Sequence, residues 1–116
     1  MPKLRKFKPD IIVVACGFDA SGVDPLSRML CGSDTFTDLT KRLMDYANGR
    51  LVFAHEGGYN EVHVPFCGHS VLQTLSQSSV SVEDPLAARI KLQQPDARFD
   101  NLQFNRIKEI VSLNNL

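Results

Sequence analysis

The feature that most restricts what this chain can fold into is the apolar, β-branched run Ile11 to Ala15, set between Pro9-Asp10 and Gly17 in DIIVVACGFDASGVDP. A short run of this kind bounded by turn formers predicts a strand buried on both faces. Asp19 then lies just past the strand's carboxyl end. In open parallel α/β sheets ligands bind there, because the connections leaving the strands diverge and open a crevice. A carboxylate so placed can ligate or bind, and it can equally cap a turn or the next helix. The strand alone leaves both readings standing.

The flanking pattern extends the strand into a βαβ unit. Phe36, Leu39, Leu43, Tyr46 and Ala47 recur at helical spacing after Ser33 or Asp34 as cap, and Gly49 supplies the stop. Leu51 to Ala54 predicts a second strand, parallel to the first, since a helix between two strands makes a crossover. Between first strand and helix, SGVDPLSRMLCGS predicts a loop from Phe18 to Ser33. That is long for a mere connector and favours a functional loop. Upstream, Leu4 and Phe7 among lysines predict the last turn of a helix stopped by Pro9. Downstream, Val62 to Leu75 predicts a helix with Pro65 in its first turn, SQSSVSVEDP a polar linker, and Pro85 to Lys91 a short helix. A final helix is predicted over Leu102 to Leu113. His69 reads as a surface or capping residue.

Composition narrows the function classes. The 116 residues, 43% hydrophobic, suffice for one small core. Thirteen basic residues balance thirteen acidic ones, so no net field draws the chain to nucleic acid or an anionic membrane. The basic start, Lys3, Arg5, Lys6 and Lys8, is followed by only about seven apolar residues and no small-residue cleavage pattern, which argues against a signal peptide. No stretch approaches the ~20 apolar residues that span a bilayer. Cys16, Cys31 and Cys67 show no CxxC pairing, so a reducing, cytoplasmic compartment is expected.

The second strand delivers HEGGYNEVH at its exit, on the same sheet edge as Asp19. Gly57 and Gly58 let the backbone approach a ligand or neighbouring chain closely. Tyr59 projects from that loop, as a packed aromatic or as a functional group. His55-Glu56 begins like a zinc-protease HExxH, but residue 59 is Tyr and the two glycines weaken the helix that motif needs.

CGFDASGVDPLSRML followed by HEGGYNEVHVPFCGHSVL resembles the carboxyl-terminal part of zinc-dependent deacetylases of the arginase/deacetylase fold, especially bacterial class II histone-deacetylase-like amidohydrolases. The resemblance covers about residues 5 to 77 and continues more loosely to the end. It implies a fragment of a three-layer α/β/α fold with a parallel sheet. It implies that Asp19 is a zinc ligand, that Tyr59 is the catalytic tyrosine, and that Leu26, Gly57 and Gly58 border the acyl-lysine channel. The implied substrate is acetyl-lysine or a small acyl amide, with no nucleic-acid or membrane partner; homo-oligomer formation stays open.

The chain also departs from that pattern. The family's D-x-H segment and His-His pair have no counterpart among these residues. A catalytic zinc keeps three protein ligands, and one carboxylate cannot hold it. The expectation is therefore that residues 1–116 form the carboxyl-terminal portion of a single deacetylase domain, with Met1 an internal or alternative start, inactive alone. Two alternatives accompany it: an amidohydrolase acting on acetylated polyamines, and a non-catalytic α/β module that needs a partner chain.

Overall fold

The computed structural model describes residues 2–26 and 29–113. Met1 and the Ser27-Arg28 pair of the long loop lie outside the described residues. The element order is α1 (Pro2–Phe7), β1 (Ile12–Cys16), α2 (Ser33–Met44), β2 (Leu51–His55), α3 (Val64–Ser76), α4 (Ala87–Leu92) and α5 (Ala97–Leu113), with single 3-10 turns at Phe18–Ala20 and Ala47–Gly49. β1 and β2 pair in parallel, Ile12 opposite Leu51 through Cys16 opposite His55. The predicted α/β class and parallel pair are therefore observed. Among the described residues no helix is long and apolar enough to cross a membrane.

The strands' alternation decides where the core sits. Val14, Cys16 and Phe53 share one sheet face and pack with Phe18, Phe36 of α2, and Cys67 and Val71 of α3. Phe18 and Phe36 meet edge to face with centroids 5.2 Å apart, a geometry aromatic quadrupoles favour. Each buried phenyl contributes roughly 1.5–3 kcal/mol of transfer free energy. Helices α2 and α3 pack against each other across this face.

The opposite face corrects one expectation. β1 is buried on one face only: Val13 is 67% exposed, and Val52, its partner across the ladder, 48%. The reason lies in the pleat: α2 and α3 both cover the face of Val14 and Cys16, and no described element covers the other. Of three layers, the described residues build two.

Helix boundaries differ where side chains are diverted. Gly32, rather than Ser33 or Asp34, is the N-cap of α2, because the Ser33 hydroxyl donates instead to Asp84 Oδ2 at 2.7 Å. α2 stops at Met44, and Asn48 takes a left-handed conformation with φ 52° before β2. α5 starts five residues before the predicted Leu102, at Ala97. There Asp96 Oδ1 accepts from the backbone of Arg98 and Phe99, the N-terminal role of a carboxylate.

Candidate functional site

Asp19 sits in the 3-10 turn that leaves β1, and Gly57 in the loop that leaves β2. The two exits are stitched together: Glu56 N–H donates to Cys16 O at 3.2 Å and Phe18 N–H to Gly57 O at 2.6 Å. The Asp19 carboxylate consequently lies between two glycines. A Cβ built on Gly17 would come within 2.6 Å of its Oδ1, and one built on Gly57 within 2.4 Å of its Oδ2. Only hydrogen at both positions leaves that space to the carboxylate. Among the described residues no hydrogen bond or ion pair occupies its oxygens. An oxygen donor set between glycines and not spent on capping is suited to a hard or borderline cation. Among the described residues, however, no three His, Cys, Asp or Glu side chains gather into a metal site. Asp19 fits one ligand position, and the described residues do not complete the set.

Gly58 has φ +139°, and a Cβ there would meet Val64 Cγ2 at 2.9 Å and Phe18 Cβ at 3.0 Å. The loop can pack this tightly only with glycine. Residues 57–60 have no helical conformation, so the HExxH reading is excluded by geometry as well as by sequence. His55 lies against Phe18, ring centroids 5.1 Å apart.

Tyr59 is held by its backbone and is 58% exposed as a residue. Its N–H donates to Asp24 Oδ2 at 2.7 Å, while Asp24 Oδ1 accepts the Leu26 N–H at 2.9 Å. One buried carboxylate thus brings together the two positions to which the family resemblance gives a catalytic and a channel-lining role. Asn60 adds a second tie, its amide donating to Val23 O at 2.7 Å, while its Oδ1 accepts the His63 N–H at 2.9 Å. Asp24 and Asn60, which tie these loops together, were not singled out from the sequence. The signals were modest: a carboxylate two residues before Leu26, and an amide directly after Tyr59.

His63 is fully buried at the start of α3. Its Nδ1 lies 2.6 Å from the Ser21 hydroxyl and its Nε2 2.9 Å from Asp84 Oδ2. Asp84 also accepts from the Ser33 hydroxyl at 2.7 Å and the Leu86 N–H at 2.9 Å. Burial alone would raise the Asp84 pKa, but the hydrogen bonds from Ser33, Leu86 and His63 outweigh it and hold the carboxyl below its ordinary range. The neighbouring Cys67 thiol is pushed up to about 12, by burial first and then by the Asp84 charge and the other two cysteines. It is a packed, unreactive group at neutral pH.

The family described as "Histone deacetylase domain" matches residues 1–75. The chain belongs to the histone deacetylase family. It is 48% identical over 116 residues to the histone deacetylase-like amidohydrolase of Pseudomonas aeruginosa, an alignment covering 97% of this chain and 30% of that protein. Against histone deacetylase clr3 of Schizosaccharomyces pombe it is 35% identical over 75 residues, 65% of this chain and 11% of that one. The solved structure of the histone deacetylase Clr3 superposes with a TM-score of 0.64 at 29% identity, covering 77% of this chain and 16% of its own. The HDA15 HD domain matches with the same TM-score over 67% of this chain. These are domains of the arginase/deacetylase fold. The chain spans less than a third of the Pseudomonas relative's length.

Proposed function

We propose that this chain is the carboxyl-terminal portion of a zinc-dependent deacetylase domain that removes acetyl groups from acetyl-lysine or similar acyl amides. Membership of the histone deacetylase family supports a hydrolase of this class. The observation that carries the residue assignment is the pair of strand exits, which sets the Asp19 carboxylate against Gly57, two residues before Tyr59. Asp19 is one zinc ligand, and the remaining ligands and the general base come from outside the described residues. Bound zinc supplies Lewis acidity toward a carbonyl and a water. Tyr59 contributes a hydroxyl donor to the charge that develops on the carbonyl oxygen as the amide is attacked. A donor of that kind is worth about 2.7–4 kcal/mol of barrier. Leu26 and the backbone of Gly57 and Gly58 border the acyl chain. The three free cysteines support a reducing, cytoplasmic compartment.

The test uses the protein that carries this chain together with the preceding part of the domain. Tyr59→Phe is expected to lower kcat about 100- to 1000-fold with zinc content unchanged. Asp19→Asn is expected to lower zinc content itself. Near-parental turnover of the first variant, or parental zinc content of the second, rejects the assignment. Acetyl-lysine peptides and acetylated polyamines assayed side by side decide the substrate class.

A further inference from the structure

Five residues from two loops close a ring of hydrogen bonds behind Tyr59. Asp24 N–H donates to Ser21 O at 3.1 Å, and Asp24 Oδ2 accepts the Tyr59 N–H at 2.7 Å. Asn60, next in the chain, accepts the His63 N–H at 2.9 Å, and the His63 ring returns to the Ser21 hydroxyl at 2.6 Å. Ser21 is 1% exposed and His63 0%, so neither can exchange its partner for water. Ser21 also lies two residues after Asp19, so the ring spans both strand exits.

In a neutral imidazole one nitrogen donates and the other accepts. Since a carboxylate only accepts, the bond to Asp84 requires Nε2–H, and in the neutral ring Nδ1 is then the acceptor for the Ser21 hydroxyl at 2.6 Å, with the Cys67 thiol also 3.4 Å from it. Asp84 thereby selects the tautomer on which the ring closes. The Val23 N–H, 3.3 Å from Ser21 Oγ, occupies an acceptor site of that hydroxyl and is consistent with it donating to His63. Removing the Asp84 carboxylate would leave a buried imidazole N–H unpaired, a costly state.

We propose that Asp84, reaching in from the segment between α3 and α4, is a positioning residue for Tyr59: it fixes the His63 tautomer and, through Ser21, the distance between the Tyr59 backbone and the Asp19 turn. This rests on the proposed role of Tyr59. Asp84 lies beyond the stretch that matches the histone deacetylase domain, on a segment without regular structure.

The test substitutes Asp84→Asn, which keeps the shape and removes one acceptor, and separately Ser21→Ala, a smaller change that opens the same ring should the first variant not fold. Both are made in the protein that carries this chain with the preceding part of its domain, alone and combined with Tyr59→Phe. Amide exchange over residues 57–63 is expected to quicken at least about tenfold, as local opening becomes easier. The rate constant kcat is expected to fall about 10- to 100-fold with KM and zinc content near parental values, as for a displaced reacting group. On the Tyr59→Phe background the same substitutions are expected to change kcat little, because the group they position is gone. Unchanged exchange at 57–63 overturns the proposal, as does an equal loss of kcat with and without the Tyr59 hydroxyl, which marks a general structural effect. If Tyr59→Phe itself keeps parental turnover, the functional reading fails, while the exchange measurement still decides whether Asp84 holds the loop.

Discussion

Gly57 and Gly58 are neighbours, yet their substitution by alanine should fail in different ways. At Gly57 the nearest atoms to the new methyl would be those of the Asp19 carboxylate, Oδ2 at 2.4 Å, and a side-chain end can turn aside where backbone cannot. Gly57→Ala should leave thermal unfolding nearly unchanged and lower zinc content in the protein carrying the whole domain. At Gly58 the methyl would strike Val64 and Phe18 while the backbone holds φ +139°, so neither neighbour nor chain can yield cheaply. Gly58→Ala should cost about 1–3 kcal/mol of stability, read by denaturant unfolding. Loss of zinc without loss of stability at Gly58, or the reverse at Gly57, would contradict the geometry. At this scale the positions of Asp19 and Tyr59, just past the two strands, were legible from the strand pattern and the turn formers around it. Ser21, His63 and Asp84 were not, because their bonds join residues 42 and 21 positions apart, beyond the reach of periodicity or turn chemistry.

Among the elements, the strands and helices follow the sequence closely and their ends do not. Strand positions were legible from β-branched runs between turn formers, and α3 from its apolar spacing with Pro65 in the first turn. The start of α2 shifted because Ser33 serves Asp84, and α5 gained a turn because Asp96 caps it. A polar linker thus anchors two helices through one carboxylate: Asp84 takes Ser33 from α2 and His63 from the start of α3. Its folded pKa is depressed, so the ionised form stabilises the fold. That contribution is present above the ordinary carboxylate value, and it is lost as pH falls below that value and through the lower folded one. Unfolding of parent and Asp84→Asn compared across acid pH should show a stability difference at neutral pH that closes at the acid end. A difference that stays constant with pH would deny the ionised carboxylate its part.

For the molecule as a whole, the sheet is the decisive object. Val13 and Val52 lie paired on a face that the described helices leave open, and each strand has one edge without a partner among the described residues. Such surfaces promote association. The 116-residue chain alone is expected to bind an environment-sensitive apolar dye and to sediment as species larger than a monomer; a monomer with one sharp, reversible thermal transition would refute this. The α/β class could be read from the alternation of strand and helix, whereas the open face could not. A run such as IIVVA looks the same whether one or both sides are covered. Asp24 adds a consequence for how such a site can diversify. Its two oxygens grip Leu26 and Tyr59 at once, so the loop leaving β1 and the loop leaving β2 behave as two arms of one clasp. On the roles proposed for Leu26 and Tyr59, a change at residue 26 that admits a bulkier acyl group would, by the same lever, retune the tyrosine, and selectivity and speed would be inherited together.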